Sequence, residues 1–456
     1  MPATTASSFP WKQLVWDAAT QEKYDTEPEY AKAKQVIQDE FGQDKLFQGW
    51  IKTCTELERL TTEIQEKKEK IFPVIEMEDI VNNRVSLDTL TNVRQVGSFI
   101  VKNVIPGQEA NEIFEQLKLY VANNKDKIAA APVEQPAIFS IYNAPSQNRL
   151  RSHPRLLEVV KWANGTWDYA KDDAETSPRP LVYADRVRIR QPGAKFLGLG
   201  PHIDSGGLCR WTEPIYRSVY TDVFEGNPDK QNCYDMRKRK DADQGFYSDD
   251  SQSTVLRCYQ GWTALTPTAE GEGTIILYPN VRLVMAYVLL RPFFQPPEDA
   301  TKIMDPQEWT YNPTGTWFPG AQVDGKLDLS PASHPHLRLE ENFLHIPPLE
   351  AGDTVWWHSD VSVPSHTFVP TRQFAYMIQV CHAVDPEHNG KKAASVAYIA
   401  ATPTTRMNTQ QMRLQYDRMV AGLPPPDYND GVDESKFIGF EGFKGNEDLW
   451  QALMGY

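Results

Sequence analysis

The chain is short of several things, and each shortage excludes a class of protein. Cysteine is scarce: Cys54, Cys209, Cys233, Cys258 and Cys381 are odd in number and contain no C-x-x-C. No disulfide framework or zinc site follows from that pattern. No apolar run is long enough to cross a bilayer; the longest, around Leu283 to Phe294, is interrupted by Arg291 and Pro292. The opening MPATTASSFPWKQL lacks the apolar core of a signal peptide. Basic residues are outnumbered, 47 Lys and Arg against 61 Asp and Glu, for a net charge of -14. That balance argues against nucleic acid or an anionic membrane surface as partner, because phosphate binding needs a basic face. A small anionic substrate remains open, since it needs only a few local cations. No repeat of 20–50 residues is present. The expected setting is the reducing cytoplasm.

What is present is the composition of a soluble globular protein: 456 residues, 40% hydrophobic and 24% charged. The length suits one large domain with helical extensions, or two or three ordinary ones. Tyr30 to Phe72 is rich in Ala, Gln, Glu, Lys and Leu, with Leu57, Leu60 and Ile64 at helical spacing, and Pro73 ends the run. The pattern changes near Val93. Ser98 to Val101 reads as a strand, followed by a Pro106-Gly107 turn and a helix with Ile113, Leu117 and Tyr120 on one face. From about 180 to 402, β-branched and aromatic segments alternate with Gly and Pro, which suggests a β-sandwich or jelly roll. Candidate strands are Tyr183 to Arg190, Gly273 to Leu277, Leu283 to Leu290, Thr354 to His358 and Ser395 to Ala400. Asn227 to Gln252 reads as a polar surface loop. After Thr404 comes an amphipathic helix with Met412, Leu414, Met419 and Val420, stopped by Leu423-Pro424-Pro425-Pro426. The expected division is a helical extension over 1–92, a mainly β domain with flanking helices over 93–404, and a helical extension over 405–456.

The chemistry-bearing motif is Pro201-His202-Ile203-Asp204. A histidine and a carboxylate two residues apart on a strand end lie on the same side. One further histidine would complete a facial triad on Fe(II), with positions left open for substrate and oxygen. Gly198 and Gly200 before the pair, and Gly206-Gly207 after it, suit a strand end that lets a ligand approach. A histidine beside a turn aspartate is the bland alternative. The distal ligand is not unique on spacing: AGDTVWWHSDVSVPSHTFVPTRQFAYMIQVCHAVDPEHNG offers His358, His366, His382 and His388. His153, His334, His336 and His345 show no mutual ligand spacing and read as structural or exposed.

Several separate blocks carry a family resemblance: YADRVRIRQPG, GLGPHIDSGGLCRW, GWTALTPTAEGEGTIILYPN, AYVLLRPFF, GDTVWWHSDV and CHAVDPEHNG. Over about 90 to 402 the chain resembles the YbiU-like proteins, related to the phytanoyl-CoA dioxygenase-like Fe(II)/2-oxoglutarate oxygenases. The resemblance implies a double-stranded β-helix (jelly roll, cupin-like) core in an α+β chain. It places the iron ligands at His202, Asp204 and His382. It also exposes a departure. In that family the WWHSDV block runs almost directly into HAV, whereas here Ser362 to Val380 intervene. Excising them gives WWHSDVCHAVDPEHNG, so the segment reads as a translated intron or a gene-model error. If it is genuine, His366 or His358 competes as ligand, and Arg372 could imitate the arginine that often follows the distal histidine.

The far carboxylate of 2-oxoglutarate normally needs a cation, ideally a bidentate arginine. Past His382 the usual position offers only Lys391 and Lys392. Arg210 lies near the metal pair. In Asp185-Arg186-Val187-Arg188-Ile189-Arg190 the arginines share one face of a strand. That face is either a cationic stripe toward a barrel mouth or a solvated exterior. The candidates are therefore Arg188, Arg210 and Lys392, with Arg188 foremost. Trp211, Trp262, Trp356 and Trp357 read as core, and Tyr183 and Asn143 as possible pocket residues. The expectation is a dioxygenase that uses Fe(II), 2-oxoglutarate and molecular oxygen on a small polar or anionic metabolite. The rivals are a cupin-like metal enzyme that does not use 2-oxoglutarate, and a catalytically inactive binding protein.

Overall fold

The structure is a computed structural model. It describes residues 9–15, 17–195, 200–203, 207–243, 246–247, 255–323, 327–359, 382–386, 388–428 and 431–456. Two sheets hold the candidate site. The larger has nine strands and runs, from one edge, Val74–Glu76, Ser98–Lys102, Thr354–His358, Tyr259–Ala264, Ala394–Thr404, Val187–Arg190, Ile138–Phe139 and Ala130–Ala131, with Ser177–Leu181 also on Ala394–Thr404. The smaller has five: Leu327–Asp328, His202–Ile203, His382–Val384, Ile275–Leu277 and Leu344–His345. Only the pairing of Val74–Glu76 with Ser98–Lys102 is parallel among these strands.

The segment TVWWH is paired on both sides and wholly buried, as its β-branched and aromatic content favours. Its entry depends on Gly352-Asp353. Gly352 has φ +95°, and a Cβ there would meet the Ile105 carbonyl oxygen at 1.9 Å, so only glycine fits. The Asp353 carboxylate then accepts from Lys102 Nζ at 2.6 Å and from the amides of Asn103 and Glu350, each at 2.8 Å. Those bonds lock the turn to the neighbouring strand.

The described residues contain sixteen α-helices, so the fold is mixed α+β rather than mainly β. The N-terminal helical run is two helices, Pro28–Phe41 and Gln43–Lys67, divided at Gly42 with φ +78°. Leu57, Leu60 and Ile64 are buried as their spacing predicts, and one hydrophobic core extends from Tyr24 to Phe437. The largest correction is Leu283 to Leu290, expected as a strand. It belongs to the helix Val281–Leu290, capped by Asn280 Oδ1, which accepts from the Leu283 amide at 3.0 Å. A run that is apolar on every side carries neither helical nor strand period, so pattern alone cannot separate the two. This helix packs against Gln43–Lys67, and of its ten residues only Arg282 is not buried.

Two other expectations change. Asn227 to Arg239 is not a polar surface loop: Cys233, Tyr234, Met236 and Arg239 are buried, and the Tyr234 carbonyl accepts from the Asp168 amide at 2.9 Å. The later part of that stretch lies largely outside the described residues. In the tail, Arg406–Val420 is helical, with Met412 and Met419 buried but Leu414 and Val420 about half exposed. The remainder is packed, with Trp450 and Leu453 buried and the Leu453 carbonyl accepting from Val182. Cys54, Cys209, Cys233 and Cys258 are buried. No described helix is long and apolar enough to cross a membrane.

Candidate active site

His202 lies in the smaller sheet and is fully buried. Its Nδ1 is 2.5 Å from the Gly200 carbonyl oxygen. A carbonyl only accepts, so Nδ1 is the donor, and in the neutral ring that tautomer puts the lone pair on Nε2. An imidazole that donates one ring N–H to a backbone carbonyl is oriented as metal-ligating histidines are. Across the sheet, His202 pairs with Asp328 on one side and with His382 on the other. Asp204 and the side chain of His382 lie outside what the structure describes. Among the described residues no group of three potential ligands is assembled.

The strand that carries His382 is held at its far end by Asp385. The Asp385 carbonyl accepts from Arg190 Nη1 at 2.8 Å, its carboxylate accepts from the Gly271 amide at 2.9 Å, and His345 Nε2 lies 2.7 Å from that carboxylate. Burial works against the His345 cation, but the Asp385 hydrogen bond and the Asp385 and Glu270 charges outweigh it and raise the His345 pKa. This histidine is a structural clamp between the two strands that flank Ile275–Leu277, not an isolated exposed group.

Arg186, Arg188 and Arg190 are 7%, 3% and 0% exposed, which removes the solvated-exterior reading of the stripe. Arg188 stands opposite Val396 and Ile138 in the larger sheet, and its Nη2 donates 3.0 Å to the Gly273 carbonyl, just before the smaller sheet's Ile275–Leu277. The arginine row therefore bridges the two sheets. Arg190 is committed to the Asp385 and Ala194 carbonyls, and Arg186 lies 5.0 Å over the Tyr428 ring. Tyr398 lies on the strand next to Arg188. Its buried hydroxyl has no hydrogen-bond partner among the described residues, and burial raises its pKa against the opposing charges of Arg188 and Arg186.

The other candidates disperse. Arg210 is fully buried on the short helix Cys209–Thr212. Lys392 is exposed, and its carbonyl accepts from His388 Nε2 at 2.7 Å. His358 belongs to the larger sheet, where it stacks on Trp167 at 4.7 Å and donates from Nε2 to the Cys233 carbonyl. His366 and Arg372 lie outside the described residues. His334 and His336 are buried. Burial, helped by the Arg291 charge, pushes the His336 pKa down to about 4. Trp211, Trp262, Trp356 and Trp357 are core. Tyr183 and Asn143 are committed to Asp427 and Met419 of the tail. Sequence reasoning missed Tyr398 and Asp385. Asp385 stood inside the quoted CHAVDPEHNG block, whereas nothing in SVAYIAA singles out its tyrosine.

A buried histidine, a second histidine at the paired position of the next strand, and buried arginines reaching from one sheet to the other belong to a two-sheet α+β protein. The chain belongs to the Gig2-like family, which matches residues 24–449. It is 28% identical over 371 residues to the uncharacterized protein YbiU of Escherichia coli (strain K12), covering 78% of this chain and 79% of that protein. The crystal structure of GlcNAc Inducible Gene 2 from Candida albicans superposes with a TM-score of 0.79 at 25% identity, covering 93% of this chain and 88% of that one. A Salmonella typhimurium LT2 crystal structure shares the fold, with a TM-score of 0.78 at 23% identity over 98% of this chain and 100% of that one.

Proposed function

We propose that the chain is a non-haem Fe(II)/2-oxoglutarate-dependent dioxygenase built on a double-stranded β-helix formed by the two sheets. The observation that carries the reading is the cross-strand pairing of His202 with His382, with His202 buried and its Nδ1 already committed to a carbonyl. Register partners share a face of a sheet, and Asp204 follows two residues after His202. The donor set of two imidazoles and one carboxylate fits Fe(II) with open positions. Iron together with 2-oxoglutarate and molecular oxygen would supply oxidation of an unactivated C–H bond.

The protein's own part is positioning. Gly200 holds the His202 tautomer. Arg190 and Asp385 fix the strand of His382. Arg188 is the cation best placed for the far carboxylate of the co-substrate: the strand that follows His382, Ala394–Thr404, carries no cation of its own, and Arg188 lies opposite its Val396. Tyr398 would add a hydroxyl donor beside it. The Salmonella relative bears the provisional name of an oxidoreductase, which agrees with this class. A small polar or anionic metabolite suits an interior lined by arginine better than a lipid or a nucleic acid.

The test is an anaerobic Fe(II) titration with and without 2-oxoglutarate, followed through the weak visible charge-transfer band of the chelate. A band that requires both components supports the reading. Metal binding without any response to 2-oxoglutarate would point instead to a cupin-like metal enzyme.

A further inference from the structure

A second pair of buried cations lies apart from the histidines. Lys34, on Pro28–Phe41, and Arg291, just after Val281–Leu290, are each 2% exposed. Lys34 Nζ donates to the Pro292 carbonyl at 2.6 Å and the Asn312 carbonyl at 3.1 Å. Arg291 donates from Nε to Ser333 and from Nη1 to Phe294, both carbonyls, at 2.8 and 2.7 Å. Its guanidinium lies 4.5 Å over Trp309 and 5.3 Å over Trp317. Neither cation forms an ion pair among the described residues, and every acceptor it has there is neutral.

Desolvating an ion costs several kcal/mol, and a like charge alongside adds to that. Burial and the Arg291 charge push the Lys34 pKa down to about 7, the response expected in a positive field that the chain does not neutralise. Both side chains line one cavity of about 170 Å³, whose other walls include Pro292, Phe294, Pro296 and Trp317. An apolar cavity of roughly 150 Å³ admits benzene, so a ring carrying a carboxylate fits this one. An ammonium has three donors and a guanidinium five. Two of the Lys34 donors are used by carbonyls, and Arg291 Nη2 makes no hydrogen bond among the described residues.

We propose that this cavity binds a small carboxylate with an apolar body, its charge on Lys34 and Arg291 and its body against Phe294, Pro296 and Trp317. Gln295 and Asn312 also line the cavity, but most of its wall is apolar, which favours such a ligand over phosphate, an ion with no apolar body to bury. The site does not depend on the oxidative chemistry proposed above.

Isothermal titration of the full chain with benzoate tests it. The expected result is saturable binding of one benzoate per chain, weakened roughly tenfold or more in Lys34→Met, the scale of one charge-assisted hydrogen bond. Binding should be unchanged in Arg188→Met. Benzyl alcohol, which keeps the body and lacks the charge, should not compete, and that comparison needs no variant. Absence of saturation, equal affinity in a folded Lys34→Met protein, competition by benzyl alcohol, or phosphate binding as tightly as benzoate would each overturn the proposal.

Discussion

His202 and His382 stand directly opposite one another on adjacent antiparallel strands, although the larger sheet's Tyr259–Ala264 and Thr354–His358 both lie between them in the chain. If both hold Fe(II), His202→Ala and His382→Ala should each weaken Fe(II) binding by well over the roughly 10- to 100-fold that loss of an outer partner costs. His358→Ala, in the other sheet, should leave the affinity unchanged even if it lowers Tm. Anaerobic titration read by the charge-transfer band makes the comparison. Equal retention of metal by the His382 variant would remove that residue from the site.

Arg188 is buried and connects the two sheets. Arg188→Met should raise the KM for 2-oxoglutarate about 30-fold or more, on the order of 2 kcal/mol for losing one partner of a buried charge pair. Lys392→Met should leave it unchanged, because that side chain is exposed. Succinate release at varied 2-oxoglutarate gives both numbers. An unchanged KM in a folded Arg188→Met protein would assign the co-substrate carboxylate to another cation.

Ser359, whose amide donates to the Cys258 carbonyl, lies beside the larger sheet, and His382 lies in the smaller one. We predict that a chain lacking Ser362 to Val380 folds and binds Fe(II) with 2-oxoglutarate at least as tightly as the full chain. A transcript that encodes those residues in frame, together with a shortened protein that loses the chelate band, would show the segment to be genuine and needed.

Glu434 joins the tail to the body. Its carboxylate accepts from the Tyr142 and Asn143 amides and from the Tyr120 hydroxyl. Burial is the largest influence and raises its pKa to about 7, against the lowering effect of those donors and of Arg151. A carboxyl whose folded pKa lies above its unfolded value holds its proton longer in the native state. Its contribution is therefore full below the unfolded pKa of 4.5 and is lost as pH rises through about 7. The difference is on the order of 3 kcal/mol. Glu434→Gln should flatten the fall in stability between about pH 5 and about pH 8, as measured by urea unfolding at each pH. Parallel stability curves for the two proteins would show that Glu434 does not titrate in that window.

Much of this protein is legible in its residues. The strand Thr354–His358 has the bounds its β-branched and aromatic content predicts, and Leu57, Leu60 and Ile64 are buried as their spacing requires. The candidate histidines were legible because a chemistry-bearing pair needs short-range spacing that one chain displays. The helix Val281–Leu290 was not legible, because an apolar run buried on all sides has no polar face to mark its period. Arg188 was visible as one of an alternating row. Whether that row faced water or the interior depends on what packs over it.

The sequence by itself determined many of the local elements, the close spacing of His202 and Asp204, and the family, since each is a property of residue order and near spacing. Only the tertiary structure decided that His202 pairs with His382 rather than lying beside His358, that the arginines face inward, and that Lys34 meets Arg291 around a cavity. Those are contacts between distant segments, set by sheet register and by the burial of one shared core, and no local spacing encodes them.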